Sequence, residues 1–414
     1  MKKYLIITMI LLLTGPCGHA ETLDDYFKIA AENNPGLKAG YAKYEAALQK
    51  VPQANSLPDP VFTFGYFISP VETRIGPQKA RLSLTQMFPW FGTLQAQGDS
   101  AALMAEAGFQ SFIDARNTLY FQVASAYYPL YELSRWKGIE SENIEILQSY
   151  KALAIRRLEN GVGTMVDVLR VDIMLKDAET NLEILNAKEK PLMAKFNNLL
   201  NRDVNEPVSV SDSLVIEPLP DNPAGDALFA GNPLLKELDL KIKAGKASEQ
   251  AAYHQGLPRF GVGLDYIIVD KRSDMTLDDN GKDAVIGMVT VNIPLFRAKY
   301  SASVKEAQWM QKSYSLQKEE VANALTASYE MAWFEIRQQR QLLALYEQQV
   351  QTVRHARALL FSVYSNSGEE FEELLGTQQK LLDYDKMKTT AEVQYQIGLA
   401  KLNVLTGRTD SNEK

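Results

Sequence analysis

The side chains that most often carry enzyme chemistry are scarce in this chain of 414 residues. It has one cysteine, Cys17, and three histidines, of which His254 and His355 lie far apart with no other histidine nearby. Beyond the first twenty residues there is no thiol to act as a nucleophile, form a disulfide or bind a metal. No nucleophile, base and orienting group cluster along the sequence. The sequence therefore predicts neither an enzyme nor a metal or cofactor site.

Carboxylates concentrate in one short segment. Four glutamates follow Gly368 within five residues: Glu369, Glu370, Glu372 and Glu373. Carboxylates held close together raise one another's pKa and attract cations, so these side chains are candidates for a cation-selective constriction. The alternative is a solvated first turn of a helix, where the helix dipole favours acidic side chains.

A second polar segment contains Asp167 and Arg170, three residues apart on a predicted helix. They form either a surface ion pair or an arrangement in which Arg170 reaches an acidic residue elsewhere. Aligning the two segments at an offset of 206 residues pairs Asn160 with Asn366 and Asp167 with Glu373. The two segments therefore correspond to each other within the chain.

The first twenty residues have the pattern of an export signal. Lys2 and Lys3 precede the apolar run 5–13, and the small residues Gly18 and Ala20 mark a cleavage site, so we predict residues 1–20 as a signal peptide. A membrane-spanning helix needs about 20 apolar residues, and no part of the chain supplies them. A formal charge of −7 without a Lys/Arg cluster argues against nucleic acid as a partner.

The remaining chain repeats itself, which is the most informative feature of the sequence. Asn34-Pro35 returns as Asn232-Pro233, and later landmarks recur in the same order at offsets between 198 and 206 residues. We predict a first structural repeat over 21–215 and a second over 216–414, which ends in a short polar tail. The other paired landmarks are Leu57-Pro58 with Leu257-Pro258, Phe88-Pro89 with Ile293-Pro294, and Tyr127 with Tyr329.

Each repeat is predicted to contain a helix, two strands, a very long helix, a tight turn and a returning helix. Residues 301–366 contain neither Gly nor Pro, so they predict one helix of 66 residues, roughly 100 Å long. Its apolar positions step by three and four, the pattern of a coiled coil. In the first repeat, Pro129 interrupts the corresponding run and is expected to kink or break the helix.

The predicted strands alternate apolar and polar residues. Phe260, Val262 and Leu264 share one face, and Leu82 and Leu84 share the corresponding face of a strand in the first repeat. This pattern fits a soluble sheet packed on a core, or tilted membrane strands with the apolar face outward. Four strands cannot close a membrane barrel, and open edges are excluded from hydrocarbon. Membrane strands would therefore require several chains to share one barrel, and three chains would supply twelve strands.

Four stretches add local motifs to these features: LPDPVFTFGYF at 57–67, LSLTQMFPWFGTLQAQ at 82–97, ENGVGTMVDVLR at 159–170 and NIPLFRAKYSA at 292–302. Together they resemble the TolC-like outer-membrane efflux factors, and the PDP and QMFPWFG stretches are most similar to the heavy-metal branch of the CusC and CzcC type. The resemblance implies a mainly α fold with β: long antiparallel coiled-coil helices forming a trimeric α-barrel, plus four strands per chain in a shared 12-stranded transmembrane β-barrel.

The resemblance also implies a function and a location. The chain would be the outer-membrane channel of a tripartite efflux or secretion system, conducting drugs, metal ions or other small molecules passively and without a cofactor. Its partners would be two further copies of itself, a periplasmic adaptor, an inner-membrane pump and outer-membrane lipid. It would lie in the outer membrane of a Gram-negative bacterium and extend into the periplasm.

Site residues follow from the same resemblance. Glu373 falls on the first position of the family's acidic ring, with Glu369, Glu370 and Glu372 beside it, while Gly376 occupies the second acidic position, which argues against a two-tier ring. Asp167 and Arg170 would form a closed-state latch. The helix turns, which in this family form the closed periplasmic end and dock the adaptor, correspond here to Asn160, Gly161, Gly163, Asn366 and Gly368.

The rival interpretation is a secreted, soluble coiled-coil scaffold or adhesin. The apolar face of the strands separates the two hypotheses, because a scaffold buries that face whereas a channel leaves it accessible to lipid.

Overall fold

The computed structural model describes residues 21–216, 218–219 and 226–407. The predicted signal peptide, residues 1–20, and the polar tail after 407 lie outside the described residues. The helices are α1 (Leu23–Asn33), α2 (Pro35–Leu48), α3 (Lys50–Asn55), α4 (Thr93–Glu159), α5 (Met165–Leu200), α6 (Pro233–Gln255), α7 (Ala298–Ser367) and α8 (Phe371–Thr406). The strands are β1 (Val61–Thr73), β2 (Gly76–Phe88), β3 (Arg259–Val269) and β4 (Ala284–Asn292).

The four strands form one antiparallel sheet in the order β1–β2–β3–β4. Its register aligns the apolar positions across strands, because Phe62 lies opposite Leu84 and Leu84 lies opposite Leu264. The helices that precede or follow the strands pack in the matching order: α2 and α3 contact α4, α4 contacts α6, and α6 contacts α7. The sheet and this helical layer therefore share one lateral order, and the fold is mainly α with a four-stranded sheet, as the sequence predicts.

Two asparagines make equivalent contacts in the two halves of the chain. Asn34 caps α2 by accepting a hydrogen bond from the Leu37 amide, and its Nδ2 donates to the Leu199 carbonyl at 2.9 Å. Asn232 caps α6 in the same way, and its Nδ2 donates to the Leu405 carbonyl at 3.0 Å. Each asparagine thus connects the start of one helix to the last turn of the returning helix. The repeat bounds 21–215 and 216–414 remain a prediction, which this pairing favours.

The long helices are continuous. Helix α7 has 70 residues and contains the whole predicted segment 301–366, which confirms that prediction. Helix α4 has 67 residues and runs through Pro129, so the expectation of a break there is wrong. A proline inside a helix costs about 3 kcal/mol. The neighbouring Tyr127, Leu130 and Tyr131 are buried in an aromatic and aliphatic cluster, and we attribute the continuity of the helix to this packing.

Polar side chains join α4, in the first half of the chain, to α8, in the second. Glu140 on α4 is completely buried and forms an ion pair with Lys386 on α8. One helical turn further along α4, Asn143 accepts a hydrogen bond of 2.8 Å from Gln378 Nε2, and Gln378 Oε1 accepts one of 3.0 Å from Arg357 on α7. We call these five residues the polar seam. If α4 were shifted along α8, Glu140 would lose its partner and leave a buried, unpaired charge. The polar seam therefore favours one alignment of these two helices.

Among the described residues, no helix is both long enough and apolar enough to span a membrane.

Candidate functional site: the exposed sheet and the two helix turns

The apolar face of the sheet is uncovered. Phe62 is 64% exposed, Leu264 54% and Val289 79%, although all three are large apolar side chains within regular strands. On β3 the opposite face is the more buried one, because it carries the buried residues Asp265, Ile267 and Val269. A soluble sheet has the opposite arrangement, because burial of its apolar face provides most of its stability. This face therefore lacks the core that the scaffold hypothesis requires.

Charged and small polar side chains lie on the opposite face. Asp265 on β3 is completely buried and forms an ion pair with Arg81 on β2. Ser83 and Thr85 on β2 point to the same side as Arg81, because successive side chains on a strand alternate between faces. One face of the sheet is thus apolar and the opposite face is polar. This is the pattern of strands that separate lipid from a polar interior.

A cavity of about 1170 Å³ lies where the sheet meets the helical layer. Residues from α3, α4, α6 and α7 line it, so all four helices next to the sheet face one shared space. Arg259, on the polar face of β3, is part of the lining. The polar side of the sheet therefore meets this cavity at Arg259, the first residue of β3. Polar residues in the lining include Lys50, Gln97, Lys241, His254, Arg259 and Glu306.

The first helix turn lies between α4 and α5. Asn160 follows the last residue of α4, and Gly161 has a φ of +71°, a conformation that favours glycine. Thr164 caps α5, because its Oγ1 accepts a hydrogen bond of 3.2 Å from the Asp167 amide. The turn is therefore held by the glycine conformation and the threonine cap, and Asp167 is the acidic residue in the first turn of α5.

The second helix turn, between α7 and α8, is shorter. Asn366 lies in the last turn of α7, and Gly368 follows the helix with a φ of +82°. Glu370 precedes α8 with a φ of +62°, which is unusual for a residue other than glycine and costs about 1 kcal/mol or more. The predicted turn residues thus lie in turns or at helix ends, and their proposed roles remain predictions.

The four glutamates of the second turn, Glu369, Glu370, Glu372 and Glu373, are exposed at the start of α8. Arg170 does not pair with Asp167 in the structure. Its Nη2 lies 2.9 Å from Glu372 Oε2, so the ion pair joins α5 of the first half to α8 of the second. Both side chains are substantially exposed, at 43% and 72%, and such a pair contributes about 0–1 kcal/mol.

Sequence reasoning missed two residues beside these turns, Arg157 and Tyr364. Tyr364 is buried and stacks on Phe371 with ring centroids 4.2 Å apart. Burial and the nearby Asp167 carboxylate raise the pKa of Tyr364, and Arg157 opposes this shift. Only the packing of the two turns brings these residues together, since they are distant in sequence. Among the described residues, no cluster of His, Cys, Asp and Glu has the form of a metal site.

Comparison with known proteins identifies the family. The model of the outer membrane efflux protein family matches residues 27–190 and 225–408. The chain belongs to this family. It is therefore an outer-membrane protein of an efflux system, and the hypothesis of a secreted scaffold is wrong because the chain belongs to this family.

Individual relatives of this outer membrane efflux protein are distant in sequence. It is 24% identical over 356 residues to the outer membrane efflux protein BepC of Brucella suis biovar 1, covering 83% of this chain and 76% of BepC. Its fold is similar to that of CusC, with a TM-score of 0.77, 14% identity and coverage of 94% and 93% of the two chains. It is also similar to the open state of Neisseria gonorrhoeae MtrE, with a TM-score of 0.73, 15% identity and coverage of 95% and 91%. At these identities the structural likeness concerns the fold, and the heavy-metal branch remains a prediction.

Proposed function

We propose that three copies of this outer membrane efflux protein form one continuous duct that conducts small molecules passively out of the cell and catalyses no reaction. The observation that carries the proposal is the exposed apolar face of a four-stranded sheet whose outer strands, β1 and β4, each have only one neighbour in the described chain. Pairing β4 of one chain with β1 of the next removes every open edge, and three chains give twelve strands.

The long helices support the second part of the proposal, a helical tube that continues the barrel. Helices α4 and α7 extend from the sheet for 67 and 70 residues, roughly 100 Å each. Three copies of the helical layer would continue the barrel as a helical tube into the periplasm, with the two helix turns at its far end. We propose that this end docks a periplasmic adaptor, through which an inner-membrane pump delivers the cargo. MtrE, whose fold is similar, is an outer membrane channel with an open state, which supports a duct of variable width.

The direct experiment is to express the whole chain with its own leader, isolate outer membranes and measure the mass of the detergent-purified protein by light scattering after size-exclusion chromatography. A trimer in the outer-membrane fraction that forms ion-conducting pores in planar bilayers is expected. A monomer without pores would contradict the proposal.

Cation selectivity at the far end of the duct is the first testable consequence. Threefold symmetry places three copies of Glu373 around the axis, and close carboxylates attract cations. Replacing Glu373 with Lys should therefore lower the preference for cations, measured as the reversal potential across a bilayer under a salt gradient. Glu183→Lys, an exposed position on α5 away from both helix turns, is the matched control with the same charge change and should leave the reversal potential unchanged. An unchanged reversal potential in the Glu373 variant would exclude Glu373 from the acidic ring.

The Arg170–Glu372 ion pair provides a second test. It joins the two halves of the chain at the end that we propose to be closed at rest, as expected for a latch. Because the pair is exposed, Arg170→Ala should cost only about 0–1 kcal/mol and raise the uptake of large antibiotics by less than about tenfold. Growth inhibition by vancomycin measures this leak. Lys176→Ala, which removes an exposed lysine that pairs within its own helix, should leave the leak unchanged.

A further inference from the structure

One arginine contacts both helix turns. Arg157 lies in the last turn of α4, before the first turn, and its side chain extends to the second turn. Its Nη2 donates to the Val162 carbonyl at 3.4 Å, and its Nη1 donates to the Ser365 carbonyl at 3.3 Å. A single guanidinium thus bonds the backbone of the α4–α5 turn and the end of α7, which are about 200 residues apart in the sequence.

The surroundings of Arg157 are shaped to hold it. The guanidinium carbon lies 5.4 Å from the centre of the Tyr364 ring, within the range of a cation–π contact. A Cβ on Gly368 would overlap the guanidinium, so the glycine leaves the space that the arginine fills. Arg157 Nε is buried, so the stem of the guanidinium is covered by protein while the side chain as a whole is half-buried.

We propose that Arg157 is the positioning residue that holds the second helix turn against the first and thereby sets the resting width of the duct's far end. This inference rests on the proposed channel function and adds a residue to it. The carbonyl that Arg157 bonds belongs to Ser365, five residues before Glu370, and Tyr364 beneath it stacks on Phe371 at the start of α8. The acidic start of α8 is therefore attached to the first turn through Arg157.

Arg157 differs from the Arg170–Glu372 pair in the strength expected of its contacts. The latter is one ion pair between exposed side chains, whereas Arg157 makes two hydrogen bonds, at 3.3 and 3.4 Å, and an aromatic contact, and its Nε is buried. Losing one ordinary hydrogen bond shifts a two-state equilibrium by about two- to tenfold, and Arg157→Ala removes two of them together with the aromatic contact. Arg157 should therefore control the closed state more strongly than Arg170 does.

The neighbouring arginine supplies a matched control. Arg156 carries the same charge on the same helical turn but is exposed to solvent. The experiment compares Arg157→Ala, Arg157→Lys and Arg156→Ala by single-channel conductance in bilayers, vancomycin sensitivity of cells and thermal stability of the purified trimer. For Arg157→Ala we expect frequent higher-conductance openings and a rise in drug sensitivity of about tenfold. Arg157→Lys should be intermediate, because one ammonium cannot reproduce the forked geometry that bonds two carbonyls.

Three outcomes are distinguishable. Leaky Arg157→Ala trimers beside a wild-type-like Arg156→Ala support the inference. Arg157→Ala trimers with wild-type conductance and drug sensitivity overturn it, whether or not their melting temperature falls, because a purely structural arginine would change stability alone. If the wild-type chain itself forms no pore, the channel function fails first and the inference fails with it.

Discussion

Replacing Leu264 with Arg should prevent the protein from accumulating in the outer membrane. Leu264 lies at the centre of β3, on the exposed apolar face, between Leu84 of β2 and Gly287 of β4. If this face contacts lipid, an arginine near the middle of the bilayer costs about 2–4 kcal/mol per chain, and a trimer carries three of them. The measurement is the amount of heat-resistant trimer in isolated outer membranes, compared with wild type.

The matched control places the same residue on the other face of the sheet. Thr85 on β2 lies opposite Gly263, one position from Leu264, and its side chain points to the polar side. Thr85→Arg should assemble almost normally, because a charged group there would face the polar interior of the duct. Equal losses in both variants would mean that the two faces have the same surroundings, which would contradict a lipid-facing sheet.

Removing Lys386 should strongly destabilise the helical part of the protein. Lys386 is the ion-pair partner of Glu140, whose side chain is completely buried. Deleting one member of a buried pair leaves an uncompensated charge and costs about 3–5 kcal/mol. We therefore expect Lys386→Ala to lower the midpoint of thermal or denaturant unfolding of the trimer substantially, as followed by circular dichroism of its helices.

Two further variants separate charge burial from other effects. Lys388, on the same helix, pairs with Glu347, which is 70% exposed, so Lys388→Ala should cost only about 0–1 kcal/mol. The double replacement of Glu140 by Leu and Lys386 by Met removes both charges and should recover most of the lost stability, since apolar substitutes of a buried ion pair are often neutral or stabilising. A double variant as unstable as Lys386→Ala would show that packing around Lys386, and not its charge, holds the seam.

The regular elements could be predicted from local sequence because their signals are local. The absence of Gly and Pro over 301–366 sufficed to predict α7, and the alternation of Phe260, Val262 and Leu264 sufficed to predict β3. Pro129 is the instructive exception. A proline's cost is a local property, but the burial that offsets it comes from α1 and α5, which pack on α4 from distant parts of the sequence. The sequence pattern shows the proline and hence its destabilising effect on the helix. It does not show how much stability the burial of the neighbouring side chains adds.

In the candidate site, too, some residues could be predicted from local sequence and others only from tertiary contacts. The glycines and glutamates of the two turns were visible in the sequence, because turns and helix starts require particular residue types. The partner of Arg170 was not, since Glu372 is about 200 residues away and only the packing of α5 near α8 brings them within 2.9 Å. Arg157 gave no signal, because its hydrogen-bond acceptors are backbone carbonyls, which every residue carries, and the aromatic ring that it contacts, Tyr364, is about 200 residues away in the sequence.

The sequence by itself thus predicted the long helices, the strands and the family, all of which depend on residue types at fixed spacings along the chain. The tertiary structure decided which face of the sheet is covered, which charges are buried in the polar seam, and which arginine joins the two turns. The physical reason is that burial and ion pairing depend on distances through space, and in this protein those distances are set between helices whose residues lie hundreds of positions apart.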